Sequence, residues 1–322
     1  MEEQLIHCTH NMKNLIIDAH SHLWLKQDTS WNGKVIRSLK NGRSIFLDAE
    51  VQRIPPFIID GRNTAEVFLS NMDYAQVQAA VVVQEFIDGL QNDYLKEVST
   101  KYPDRFFCFG MADYLHLGFY EEAQRLVENG FRGLAIPAHR LLGQPLNGQE
   151  MMDMFRMMEQ NGIMLSITLD DGDKQVGELR EVIEECPQLK VAIGHLCMAN
   201  PPVTPPWENH SWQEQVKLAR YENVMIESGG ITWLYNSEFY PYPSAIRAIR
   251  EAASLVGMDK LMWGSDYPRT STAITYRMSY DFVVKSTELS DDEKHLFLGE
   301  NARRFYGFEN LPDLPYIKNM SE

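Results

Sequence analysis

Cysteine is scarce in this sequence: Cys8, Cys108, Cys186 and Cys197 are scattered through 322 residues without a CxxC pair. No disulfide framework is legible, and Cys108 and Cys197, set in apolar runs, read as buried free thiols of a reducing cytoplasm. Positive charge is short. Lys and Arg total 30 against 45 Asp and Glu, a formal charge of −15. That balance argues against nucleic acid or an anionic membrane as partner, so an anionic substrate must be met by a local Arg or Lys. No stretch approaches the ~18 consecutive apolar residues of a membrane span. The opening MEEQLIHCTHNMKN is polar and carries no signal-peptide core. Internal repeats, low-complexity tracts and linkers are missing too. One domain over 1–322 is the expectation.

What is present is a rhythm. Short apolar, β-rich runs recur at Leu15–His20, Ala79–Gln84, Phe106–Met111, Gly133–Pro137, Ile163–Thr168, Val191–His195, Val224–Glu227 and Leu261–Gly264. After a long first gap their starts lie about thirty residues apart, the length of a strand plus a crossover helix. Helical patterns fill the gaps at Ala65–Val77, Tyr120–Glu128, Met151–Gln160, Gln175–Glu185, Trp212–Ala219 and Tyr242–Val256. Ser290 to Glu293 reads as a capping box. Strands that are apolar without alternation are covered on both faces. The choice is a closed α/β barrel or an open doubly wound sheet. No GxGxxG or GxxxxGK[ST] follows the first strand, which disfavours the open nucleotide-binding form. The expected fold is therefore a distorted TIM (β/α)8 barrel with an insertion after its first strand. That insertion, about 25–63, reads as a hairpin or lid over the barrel mouth.

Asp18, His20 and His22 stand at two-residue spacing at the end of the first run. In a regular strand they share one face, and two imidazoles so placed can converge on one metal ion. An HxH pair alone is weak. The sixth run, however, ends in His195 and the eighth leads into Asp266. A barrel would bring all of these to one pocket at the C-terminal rim.

DAHSH at 18–22, CPQLKVAIGHL at 186–196, WGSDYP at 263–268 and GENARRFYGF at 299–308 together resemble the amidohydrolase superfamily. In particular they resemble its amidohydrolase-related (amidohydrolase 2) branch of metal-dependent hydrolases. That branch includes sugar lactonases, a pyrone-dicarboxylate lactonase and non-oxidative decarboxylases. GFRGLAIP at 130–137, VVVQ at 81–84 and NDYL at 92–95 fit as well, the last two on the lactonase side.

The resemblance implies that His20, His22 and Asp266 are metal ligands. It implies that Asp266 is also the general base, and that His195 polarises the substrate carbonyl or positions water. Thr168 stands where many relatives carry a fifth-strand histidine, and the fourth strand has no bridging Lys or Glu. One divalent ion, zinc rather than manganese, is expected, with a metal-free site as the alternative. Glu85, His139, Arg140, Arg269 and Trp24 are further substrate-binding candidates; Trp233, Trp263 and Tyr267 could stack on a ring. His7, His10 and His295 receive no chemistry, and the Met151–Met158 cluster reads as core.

The implied activity is hydrolysis of a sugar or dicarboxylate lactone. Decarboxylation of an aromatic or unsaturated acid and a catalytically silent metabolite-binding barrel are the alternatives. A small-molecule substrate and a homodimer are the expected partners.

Overall fold

The computed structural model describes residues 15–315. Strand β1 (Ile17–Ser21) is followed by four strands of the insertion, β2 (Asp28–Trp31), β3 (Lys34–Ser38), β4 (Arg43–Phe46) and β5 (Ala49–Gln52), and by helix α1 (Ala65–Ala75). The regular alternation then sets in: β6 (Ala79–Val82), α2 (Asn92–Lys101), β7 (Phe106–Cys108), α3 (Phe119–Glu128), β8 (Gly133–Ile136), α4 (Gln149–Gln160), β9 (Met164–Ile167), α5 (Asp173–Glu185), β10 (Val191–Ile193), α6 (His210–Lys217) and β11 (Val224–Glu227). A short α7 (Ile231–Leu234) and the long α8 (Pro243–Val256) lead to β12 (Leu261–Met262), and α9 (Met278–Lys285), α10 (Asp291–His295) and α11 (Asn301–Tyr306) complete the order.

Strands β1, β6 and β7 form one parallel sheet and β8 to β12 another. Isolated parallel bridges join them, Gly110 with Leu134 on one side and Ser21 with Tyr267 on the other. Hydrogen bonds from the Ala19 amide to Trp263 and from the Asp266 amide to His20 complete the second seam. The ring is the expected TIM barrel.

Its interior is filled by Ile17, Ala19, Val81, Phe107, Phe109 and Met262 among others, with Phe305, Tyr306 and Phe308 packed against them. The outer layer buries one face of each helix. In α4 that face is Met151, Met152, Met154, Phe155, Met157 and Met158, the expected core cluster. The capping box at Ser290 and Glu293 opens α10 as expected. Cys108, Cys186 and Cys197 are buried free thiols; Cys8, His7 and His10 lie outside the described residues.

Three local expectations change. Several strands stop short of the boundaries read from the sequence, so that His195 and Gly264 fall beyond the ends of β10 and β12. Helix α2 was not anticipated, because NDYLKEVSTK is polar overall and buries only Leu95 and Val98. Asp18 does not share a face with His20. Ile17 and Ala19 point into the barrel, so Asp18 between them points out. A register irregularity between Asp18 and Ser21 then re-aims His20 inward.

The insertion is a four-stranded antiparallel meander rather than a single hairpin. Its turns at Asn32-Gly33 and Leu47-Asp48 hold both central residues at positive φ, the geometry that matches strand twist in tight hairpins. Trp24, Ile54 and Ile58 pack together at its stem.

Candidate active site

The strands deliver their last side chains to one rim. His20 and His22 come from the end of β1, His195 follows β10, Glu227 ends β11 and Asp266 follows β12. All but His195 are buried, and His195 is half-buried. His195 (φ 56°) and Asp266 (φ 57°) adopt left-handed backbone conformations unusual for non-glycine residues. Such conformations cost ~1–3 kcal/mol each and collect at functional positions. Space around His20 is made by glycine: a Cβ at Gly229 would lie 2.7 Å from its ring, and one at Gly264 would lie 2.8 Å from its Cβ.

His20 Nε2 and His22 Nε2 are 3.1 Å apart. Asp266 Oδ1 lies 3.1 Å from the second and 3.8 Å from the first. The outward nitrogens face carboxylates. His20 Nδ1 is 2.7 Å from Glu227 Oε1. His22 Nδ1 is 2.8 Å from Asp88 Oδ2, close but not aligned as a hydrogen bond. A carboxylate cannot donate, so each Nδ1 carries a proton, and each Nε2 presents a lone pair whenever no second proton sits on its ring. Two lone pairs and a carboxylate oxygen at these distances repel unless a proton or a cation lies between them.

A tetrahedral ion with ~2.0–2.2 Å bonds would set its ligands about 3.3–3.6 Å apart, close to what is observed. The donor set therefore fits one divalent ion, and among the described residues it is the only such cluster. Thr168 follows β9 where a fifth-strand ligand would sit, and no histidine replaces it.

The electrostatics follow from the same contacts. Burial disfavours charge on His22, but the Asp88 and Asp266 carboxylates outweigh it and push its pKa up to about 10. His20 is raised for the same reason, by Glu227. Burial would raise Asp266, yet His22, His195 and His20 hold it well below the usual carboxylate range.

His195 differs. Its Nδ1 lies 2.7 Å from the Gly229 carbonyl, so that nitrogen holds the proton. Burial and the neighbouring His20 both lower its pKa. The neutral ring then offers Nε2 as an acceptor. This suits holding a water rather than donating to a substrate carbonyl, the other role expected of it.

The remaining candidates divide. Glu85, His139 and Arg140 reach the same cleft but close on one another: Glu85 Oε1 is 3.0 Å from His139 Nε2, and its Oε2 accepts from Arg140 Nε at 2.6 Å. His139 Nδ1 also faces the Thr168 carbonyl at 3.3 Å. Arg269 borders the cleft and lies over the Trp233 ring at 3.5 Å. Trp24 borders it as well, with its indole N–H committed to the Gly61 carbonyl. Trp233 Nε1 donates to Asp266 Oδ2 at 2.5 Å. Trp263 and Tyr267 are fully buried core, and His295 lies at the end of α10, away from the cleft.

Asp18, turned outward, accepts from the Ser265 amide and hydroxyl, the Tyr276 hydroxyl and the His20 amide. It thereby braces the two segments that carry the donors.

Three residues of this arrangement escaped sequence reasoning. Glu227 ends an apolar strand just as His195 and Asp266 follow theirs, and that signal was available. Asp88 ends a 3-10 turn after β6, and Arg53, which borders the cleft, lies just past β5; neither carries a local signal.

The sequence model of the family described as Amidohydrolase matches residues 17–308. No curated protein matches the sequence. Solved structures do. A probable 2-pyrone-4,6-dicarboxylic acid hydrolase from Acinetobacter baumannii, with citric acid bound, is 22% identical over 91% of this chain and 99% of its own, with a TM-score of 0.69. An amidohydrolase from Burkholderia multivorans with bound zinc is 17% identical over 92% of this chain and all of its own, with a TM-score of 0.64. A 5-carboxyvanillate decarboxylase from Novosphingobium aromaticivorans, complexed with manganese, is 18% identical over 77% of this chain and 81% of its own, with a TM-score of 0.55. Among the described residues no helix is long and apolar enough to cross a membrane.

Proposed function

Taking as premise that the chain belongs to the amidohydrolase family, we propose that it is a metal-dependent hydrolase of a small cyclic ester, a lactone carrying carboxylate. One observation carries this reading. Three donors at near-tetrahedral spacing, one of them the Asp266 carboxylate, stand beside a neutral imidazole, on a cleft that arginines also border. His20, His22 and Asp266 would hold the ion, zinc in this reading. Bound there, it would act as a Lewis acid and bring the pKa of water toward ~7.

The chain's own groups do the rest. His195 Nε2 accepts a hydrogen bond from the attacking water and orients it. Asp266, kept ionised, takes a proton from that water and passes it to the ring oxygen as the ester bond breaks. The Trp233 indole N–H holds Asp266 Oδ2 and so fixes the direction in which Oδ1 points. Glu227 and Asp88 hold the imidazole tautomers that leave both Nε2 atoms free.

A pyrone-dicarboxylate substrate would fit the arginines, and the Acinetobacter neighbour's name supports trying that compound first. Decarboxylation is the competing chemistry of the fold; the lack of a fifth-strand histidine weighs against it. The free thiols support a reducing, cytoplasmic setting for the enzyme.

The test is elemental analysis of the purified protein followed by a panel of lactones and aromatic acids with and without chelator. The expected result is about one zinc per chain and a new titratable carboxylate from a carboxylated lactone, lost on chelation. Released CO₂ instead would replace the ester reading with the decarboxylase. Full lactone turnover in metal-free protein would remove the ion from it.

A further inference from the structure

Arg53 follows β5 in the inserted sheet, yet its side chain is only 15% exposed and reaches the cleft beside His22 and Asp88. Its contacts there are long: Nη1 to the Ile87 carbonyl at 3.4 Å and Nη2 to Asp88 Oδ1 at 3.8 Å. A guanidinium carries five N–H donors; Arg53 gives the protein one long hydrogen bond and lays its face over the Phe46 ring at 4.7 Å, so most of its donors are free for a ligand. Arg140 has no such deficit, because Glu85 already holds it at 2.6 Å. Arg269 has no carboxylate within ion-pair distance among the described residues and is exposed. Three guanidiniums thus face two carboxylates, Glu85 and Asp88, and Asp88 is also claimed by His22. The cleft is short of negative charge on this side. The proton affinity of Arg53 agrees: burial lowers it, Asp88 and Glu85 restore part, and Arg269 and Arg140 oppose them.

Size points the same way. The cleft holds about 70 Å³, well under the ~300–1,000 Å³ of ordinary ligand sites. A ring can enter only by displacing side chains. The pairs of His22 and Glu85 are short and buried, whereas the polar contacts of Arg53 are at 3.4 and 3.8 Å. Among the buried groups it is the one that yields most cheaply, and an arriving anion repays the move.

We propose that Arg53 is the specificity-determining anchor for a substrate carboxylate, so that the inserted sheet is part of the site. The carboxylate engages the guanidinium fork in two parallel hydrogen bonds and releases Asp88 to His22 alone. This assignment rests on the cleft being the ester-hydrolysing site, and its test separates the two.

Citrate serves as a carboxylate probe, with binding read by calorimetry on the wild type, Arg53→Met and Arg53→Lys. Turnover is read in parallel on a matched pair of lactones with and without a ring carboxylate. Citrate binding and KM for the carboxylated lactone should weaken about 10–100-fold in Arg53→Met. Arg53→Lys should recover only part of the loss, since an ammonium lacks the fork. Turnover of the neutral lactone should fall far less than that of the carboxylated one. The proposal is overturned if the wild type binds no carboxylate probe, if Arg53→Met binds citrate normally, or if both lactones lose turnover equally. Thermal melting confirms folding, and the Lys variant decides the question if the Met variant does not fold. Citrate binding that needs Arg53, in a protein that opens no lactone, would keep the anchor and discard the ester reading.

Discussion

On one side of the cleft the polar side chains have short, buried partners. His20 has Glu227, Asp266 has His22 and the Trp233 indole, and Asp18 braces the backbone behind them. The charged groups among them ride on barrel strands or sit within four residues of a strand end. On the other side, Arg53 hangs from the inserted sheet by long polar contacts, and Arg269 lies over the Trp233 ring with no carboxylate at ion-pair distance among the described residues. The contrast separates two tasks. Chemistry needs groups held to a fraction of an ångström by a rigid scaffold. Recognition of varying substrates is better served by loops that can change without disturbing it. The Glu85–His139–Arg140 cluster is intermediate: it faces the cleft on the arginine side, yet it is internally paired like the histidine side.

The largest effect is expected on the rigid side. Asp266→Asn should keep the fold and lower kcat about 10²–10⁴-fold, the range for loss of a positioned general base. Steady-state kinetics with a circular dichroism control checks this, and near-normal turnover would leave the proposed mechanism without its base.

Next comes the support behind the ligands. Glu227→Gln should weaken metal affinity roughly 10–100-fold, as loss of a carboxylate behind a ligating histidine does. Chelator competition reads it directly. Unchanged affinity would mean that the rigid side owes its order to packing alone.

The smallest change is predicted for the intermediate cluster. Glu85→Gln should cost about 1–3 kcal/mol of stability while metal affinity holds. Despite burial, Arg140 and His139 keep the Glu85 carboxyl well below its ordinary range. Its contribution is therefore fully present above the ordinary carboxylate pKa and fades as the pH falls through the depressed value. Denaturant titrations of wild type and variant at neutral and acidic pH should converge on the acid side. A gap that widens there would reverse the assignment.

Local pattern was enough to recover the barrel and four of its rim residues. Eight apolar runs, regularly spaced after a long first gap, need helices on both faces of a parallel sheet, the missing glycine-rich loop favours the closed form, and His20, His22, His195 and Asp266 announce themselves by standing where those runs stop. The tetrad came through because its positions follow from strand ends, which hydrophobic periodicity marks directly. Asp18 misled for the converse reason. A register slip in β1 depends on the neighbouring strand and leaves no mark on spacing, so a residue aligned on paper with His20 faces the other way. The insertion was visible as a gap, but not its four strands or its contribution of Arg53.

Partnerships across the chain needed the folded molecule. Glu227 meets His20 across 207 positions and Ser265 meets Asp18 across 247. Which carboxylate backs which imidazole, which nitrogen keeps its proton and which arginine is left without an anion are all set by distances of a few ångströms. Residue identity establishes that a group can bond or titrate; electrostatic and hydrogen-bond energies fall off so steeply with separation that its neighbours in space settle what it does.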